Sequence, residues 1–324
     1  MVAIPDDLQS ALDGALRRFG QADLSRAVTR LIARYREGGA ATEPIMKSDL
    51  DVAAYAGYRM PATFAAVSAV LAETARLAPG FEPKTMADLG GGTGTALWSA
   101  CETWPSLSTV TVVEQVEPVL SLGKRLASAA GSPVVRRAAW RRGLIDPATP
   151  APEADLVTLS YVLGELPDHT RADAVRWLAS SAGMVVLIEP GTPAGYERIV
   201  AARDVLLDLG MSLVGPCPHT ETCPIPRGRD WCHFAARLPR LGHHQVIKEG
   251  VLNFEDEKFS YIAASAVPYD RAANRILRHP QKRKGLVSLR LCTGDGKLED
   301  TLVTKRNPEP YRAARDVKWG DEWP

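Results

Sequence analysis

An α/β fold built on a parallel sheet is predicted by three features of this chain. From Thr85 onward, short apolar runs alternate with helical stretches. The first run ends in a glycine-rich segment, Asp88-Leu89-Gly90-Gly91-Gly92-Thr93-Gly94, which opens a helix-like stretch at Thr95. The run Met184-Val185-Val186-Leu187-Ile188 is apolar at every position, as a strand buried on both faces must be. Such alternation places helices on both sides of a sheet. At 324 residues and 45% apolar content, the chain can bury one large α/β domain and an accessory region.

The first 80 residues read as a helical region. Leu8, Ala11, Leu12, Ala15, Leu16 and Phe19 repeat at helical spacing, as do Leu24, Ala27, Val28, Leu31, Ile32 and Tyr35. Ser48, with Asp51 three residues on, reads as a capping box for a third helix, which Pro61 is expected to end or kink before a fourth runs to about Leu77. Tyr55 to Arg59 gathers aromatics and a cation, either packed or facing a ligand. A core of residues 81–213 follows, with strands expected at 85–89, 110–114, 134–137, 155–161 and 184–189. Residues 214–324 shift to Cys, Pro, Gly and basic residues, with strands expected at 259–264, 286–291 and 301–305. A Gly294-Asp295-Gly296 turn joins the last two as a hairpin.

The formal net charge of +1 conceals its distribution. Arg271, Arg275, Arg278, Lys282, Arg283, Lys284 and Arg290 fall in one stretch without an Asp or Glu. Such a stretch is either a solvated loop or a surface that neutralises phosphates, with affinity that falls steeply in salt. No apolar run approaches the roughly 18 residues that cross a bilayer, and residues 1–10 lack a basic segment leading an apolar one. The expectation is a cytoplasmic monomer with no membrane partner.

Glycines let a backbone turn tightly and approach a ligand, while a helix start offers free N–H groups. Gly90-x-Gly92-x-Gly94 puts Thr95 where the dinucleotide fingerprint wants its third glycine. The second expected strand ends in Glu114, where a carboxylate can accept from both hydroxyls of an unphosphorylated ribose. Asp88, Gly90, Gly92, Gly94 and Glu114 are therefore the cofactor-binding candidates. Tyr161 and Glu165 are placed to line the same pocket, or Glu165 to cap the next helix. Together these features look like the S-adenosylmethionine pocket of a Rossmann-like class I methyltransferase, with a plain strand-turn-helix or a nicotinamide site as rivals. No general base is legible. Where amine-methylating enzymes carry an Asn/Asp-Pro-Pro-aromatic motif, this chain has Ser160-Tyr161-Val162-Leu163-Gly164-Glu165, and positioning alone supplies much of the acceleration in methyl transfer.

Four of the five cysteines sit late in the chain, as Cys217-x5-Cys223-x8-Cys232-x59-Cys292. Four thiolates suit a tetrahedral zinc or an iron–sulfur cube, and the residues do not choose between them. His219 and His233 leave a mixed Cys/His zinc site open. Buried apolar cysteines are the remaining alternative, and isolated Cys101 reads as plain core.

Seven segments then come in one order: 55–63, 88–94, 160–166, 189–193, Pro216-Cys217-Pro218-His219, Asp230-Trp231-Cys232-His233-Phe234 and 255–261. From about Ser48 to Trp319 the chain thereby resembles the methyltransferase-like proteins of the mitochondrial small ribosomal subunit and their bacterial relatives. The resemblance implies an S-adenosylmethionine-dependent methyltransferase acting on small-subunit ribosomal RNA or the assembling subunit, or else a non-catalytic RNA-binding assembly factor. It also implies a 4Fe-4S cluster on Cys217, Cys223, Cys232 and Cys292. The lack of an Arg-rich leader suggests the bacterial branch. A small-molecule methyltransferase is a third reading, opposed by the basic stretch and the cysteines.

Overall fold

The computed structural model describes residues 1–37, 46, 48–239 and 253–324; the side chain of Tyr35 lies outside the described residues. Helices α1 (Asp6–Leu16) and α2 (Gln21–Glu37) bury Leu8, Leu12, Leu16, Leu24, Ala27, Val28 and Leu31, at the expected spacing. They pack with α3 (Asp49–Leu77), whose first turn is capped by Ser48, its hydroxyl accepting the Asp51 N–H at 3.1 Å. Pro61 does not end this helix, so the third and fourth expected helices are one. Most of α3 is buried, and the Thr63 hydroxyl donates to the carbonyls of Arg59 and Met60 at 3.1 and 3.2 Å. Packing thus outweighs the lost Pro61 N–H.

The main sheet comprises β1 (Thr85–Leu89), β2 (Thr109–Glu114), β3 (Ala139–Arg142), β4 (Ala154–Ser160), β5 (Ala182–Pro190), β6 (Ser212–Gly215), β7 (Phe234–Pro239) and β8 (Phe254–Ser265). Their order is β3-β2-β1-β4-β5-β8-β6, with β7 pairing β8. The first five strands are parallel, and β8 runs antiparallel to β5, Met184 opposite Ser265. The order and the antiparallel β8 match the sheet expected from the sequence, that of a Rossmann-like class I methyltransferase fold. Alternate β5 residues explain its all-apolar sequence: Met184, Val186 and Ile188 face α3, α4 (Thr95–Thr103) and α5 (Glu117–Ser128), while Val185 and Leu187 face α7 (Arg171–Ala179) and α8 (Pro193–Asp208).

One strand is misplaced by the sequence. Residues 133–136 form a short helix, α6 (Pro133–Arg136), and β3 begins three residues later. Proline at the first helical position and a Ser132 hydroxyl accepting the Val135 N–H start a turn that the apolar Val134-Val135 pair obscures. A second sheet follows, of β9 (Asn274–Ile276), β10 (Gln281–Arg283), β11 (Leu286–Thr293), β12 (Leu298–Thr304) and β13 (Glu322–Trp323), with helix α9 (Pro308–Asp316) against it. The β11–β12 hairpin forms as expected. No described helix is long and apolar enough to cross a membrane.

Candidate functional site

Parallel strands bring the expected cofactor residues to one rim, at the carboxyl ends of β1, β2 and β4, where open α/β sheets bind ligands. After β1 the chain turns through Gly90, Gly92 and Gly94 at φ of +60°, +57° and +89°, conformations costly for any residue with a Cβ. A Cβ at Gly92 would meet nothing within 4 Å, so the loop's open side lies there. Glu114 ends β2 at 8% exposure and accepts the N–H of Gly92 at 3.0 Å and of Val116 at 2.8 Å. Burial pushes its carboxyl up against the pull of those bonds. Asp88 lies beneath the loop, 1% exposed. Thr158 Oγ1 donates to its Oδ1 at 2.7 Å, while Oδ2 has no partner among the described residues. Burial, aided by the charge of Glu114, pushes Asp88 up to about 7.

Tyr161 follows β4 at φ +64°, a strained value for an aromatic residue. Its hydroxyl donates to Glu257 Oε1 at 3.3 Å, and the Arg59 guanidinium stands 5.6 Å from its ring centroid. Arg59 also donates to both Glu257 oxygens, at 2.8 and 3.3 Å, so the cation of the 55–59 segment is paired internally at the edge of the cleft. Glu165 lines it too, exposed, and caps no helix. Sequence reasoning missed Glu257, because it reaches the site only through the antiparallel return of β8. The cleft, of about 2730 Å³, is open to solvent and runs along the whole rim.

Cys217, Cys223, Cys232 and Cys292 line one cavity behind β8, although β11 delivers the last from a separate sheet. Burial pushes the Cys292 thiol up to about 12, and Cys217 and Cys223 add to it. Cys232 is raised by burial and then by the other three thiols. Tyr196 Oη lies 3.2 Å from Cys223 Sγ, and His219 Nε2 lies 3.2 Å from Cys292 Sγ. Cys217 is raised by burial, with the Arg203 guanidinium opposing. Among the described residues, no three His, Cys, Asp or Glu side chains converge closely enough to hold one metal ion. The cavity offers about 40 Å³, where one water needs roughly 10–15 Å³. His233 stands apart, stacked on Trp231 at 5.1 Å. Cys101 packs in the core, its thiol pushed up by burial to about 11.

The structure divides the seven cations of the basic stretch. Arg275 is not a surface residue: at 2% exposure it donates to the carbonyls of Pro216 and Gly320 and to Glu73 Oε1, at 3.0, 2.8 and 2.7 Å. Arg278 is paired with Asp230 and bonds the Trp231 carbonyl, and Arg290 is paired with Asp300 at 2.6 Å. Arg271, Lys282, Arg283 and Lys284 remain exposed. Register adds two that the sequence stretch did not include. Leu286 pairs with Thr304, and the Lys305 N–H donates to the Gly285 carbonyl at 3.0 Å, so Lys305 and Arg306 lie beside the Arg283-Lys284 turn. Both are exposed.

A family profile described as mitochondrial small ribosomal subunit Rsm22 matches residues 49–324. The chain belongs to the Rsm22 family. The human mitochondrial ribosome assembly protein METTL17 is 31% identical over 83% of this chain and 62% of its own length. The mitochondrial ribosome assembly protein RSM22 of Saccharomyces cerevisiae is 22% identical over 53% of this chain and 44% of its own, and an Rsm22-cox11 tandem protein of Schizosaccharomyces pombe is 22% identical over 86% and 43%. The chain thus spans less than two thirds of each of these relatives. Among solved structures, a putative RNA methyltransferase from Pyrococcus horikoshii matches 75% of this chain and 96% of its own at TM-score 0.42 and 16% identity. Magnesium protoporphyrin IX methyltransferase from Synechocystis, with bound SAM, matches 82% and 100% at TM-score 0.43 and 13% identity.

Family membership overturns the expected cytoplasmic location in the bacterial branch. The Rsm22 description and all three relatives are mitochondrial. The earlier expectation rested on the composition of the opening residues, whereas the match rests on residues 49–324.

Proposed function

We propose that this Rsm22-family chain binds S-adenosylmethionine and acts, as a methyltransferase-like factor, on the assembling small ribosomal subunit through its RNA. The observation that carries the reading is the Gly90–Gly94 loop facing Glu114 across one rim, the carboxylate bonded to the Gly92 N–H. A nucleoside there would exchange that internal bond for its ribose hydroxyls, and Asp88 Oδ2 is a further buried polar atom without a partner among the described residues. The assembly role of the named relatives supports a macromolecular partner. For phosphate contact the reading now takes Arg271, Lys282, Arg283 and Lys284 with Lys305 and Arg306, in place of the full original stretch. Tyr161 and Arg59 are both committed to Glu257, which favours binding without chemistry as the second reading.

We further propose that Cys217, Cys223, Cys232 and Cys292 hold a 4Fe-4S cluster. The donor chemistry supports the reading: four thiols, the ligand type of such clusters, border one buried space. A bound cluster would tie the β11–β12 hairpin to the 217–232 segment and so stabilise the fold.

Calorimetric titration of S-adenosylmethionine into wild type and Gly92→Asp tests the pocket. A loss of at least tenfold is expected, because the new carboxylate enters the loop's open side next to Glu114. Equal affinities would place the ligand elsewhere. Labelled methyl transfer to immature small subunits then separates an enzyme from an assembly factor.

A further inference from the structure

The four-cysteine cavity is surrounded by groups that the reading above leaves unused. Arg203, on α8, lines it with its side chain only 3% exposed. Two of its guanidinium nitrogens are accounted for: Nη2 donates to the carbonyls of His219 and Glu221 at 3.1 and 2.6 Å, and Nη1 to Asp204 at 3.0 Å. Its Nε, fully buried, is bonded to no nitrogen or oxygen among the described residues, and the thiol of Cys217 stands beside the guanidinium. Asp204 is 56% exposed, so water screens its charge, and the guanidinium reaches the cavity largely uncompensated. Arg275, the other arginine lining the cavity, differs in that its carboxylate partner, Glu73 at 2.7 Å, is far less exposed than Asp204. Two further polar groups stand 3.2 Å from sulfurs, Tyr196 Oη by Cys223 and His219 Nε2 by Cys292, each able to donate to a thiolate.

A buried cation whose N–H meets no oxygen or nitrogen is costly unless something negative faces it. Four thiolates around an iron–sulfur core carry net negative charge, and hydrogen bonds to the sulfurs set such a centre's electron affinity. We propose that Arg203, helped by Tyr196 and His219, is the built-in counter-charge of the four-cysteine centre and raises its reduction potential. The inference rests on the cluster reading. Arg203 and its helpers act as positioning residues, through the sulfurs and not on the iron.

The test is a dithionite titration of anaerobically reconstituted full-length protein, followed by visible absorption and electron paramagnetic resonance. Arg203→Gln should destabilise the reduced state at least tenfold relative to the oxidised one, a fall of about 59 mV for a one-electron couple. Arg203→Lys, which keeps the charge, should recover most of that fall. A residue that merely braces the loop through the His219 and Glu221 carbonyls would change iron retention and leave the potential in place. Should Arg203→Gln take up no iron, Tyr196→Phe decides, since it deletes one hydroxyl and keeps the buried ring: a negative shift supports the proposal, and an unchanged potential overturns it. Loaded Arg203→Gln at the wild-type potential also overturns it while the cluster stands. Wild type that takes up no iron fails earlier, and marks the cluster reading itself as wrong.

Discussion

Arg275 separates two ways of reading this chain, as one phosphate contact in a basic stretch or as an internal strap. The structure holds its guanidinium against two carbonyls and Glu73, tying β9 to α3 and to the chain on either side of it. Replacing it with methionine keeps the stem's apolar packing and strips the donors. Two carbonyls then lose a partner, at about 1–3 kcal/mol each if water cannot reach them. Glu73 is not left alone, because Arg76 still donates to it at 2.8 and 2.9 Å. The expected loss is therefore about 3 kcal/mol, at the lower edge of the ~3–5 kcal/mol for breaking a buried pair. Urea unfolding of Arg275→Met measures it, with Lys284→Ala as the exposed control, expected within ~0.5 kcal/mol of wild type. RNA affinity measured over a salt series completes the test. Lys284→Ala should lower the log–log salt slope by about 0.7–0.9, the share of one phosphate, and Arg275→Met should not. Wild-type stability in Arg275→Met, together with a reduced slope, would refute the strap and restore the surface reading.

Two further outcomes are expected. Asp88 carries a carboxyl raised from 3.8 to about 7 in the folded chain, so between about pH 4 and 7 the unfolded chain sheds a proton that the folded one keeps. Its stabilising contribution is complete below pH 4 and is lost as pH rises through 7, about 4 kcal/mol in all, and Asp88→Asn should flatten that part of a stability–pH curve from urea titrations. Equal slopes in the two proteins would mean that Asp88 is ionised in the fold. Cys292→Ser should abolish the brown absorption of anaerobically purified protein and lower its melting temperature, since it unties the β11–β12 hairpin from the 217–232 segment. Colourless wild type with one zinc per chain would overturn the choice of iron.

Local pattern carried the fold a long way. Helical spacing placed α1 and α2, all-apolar runs placed β5, and the glycine loop placed the start of α4, because each signal lies within a few adjacent residues. Errors fell where neighbours compete with tertiary packing. Pro61 is a helix breaker in isolation and is tolerated in a buried helix, and Pro133 with Ser132 turned an apolar pair into a helical turn. Among site residues, Glu114 and the glycines were legible from spacing, whereas Glu257 and Arg59 meet Tyr161 only after β8 returns antiparallel to β5.

The sequence by itself determined the Rossmann-like order of strands and helices and the glycine loop with its carboxylate, whereas Cys292, with 59 residues between it and Cys232, joins the other three cysteines only in the fold. The order and the loop depend on residue type and short spacing. Tertiary structure alone decided which cations face water, since Arg275 and Lys284 look alike along the chain and differ only in what packs around them. It also decided that Arg203 stands behind the sulfurs, because α8 and the 217–232 segment meet through folding, and charge acts through space and not along the chain.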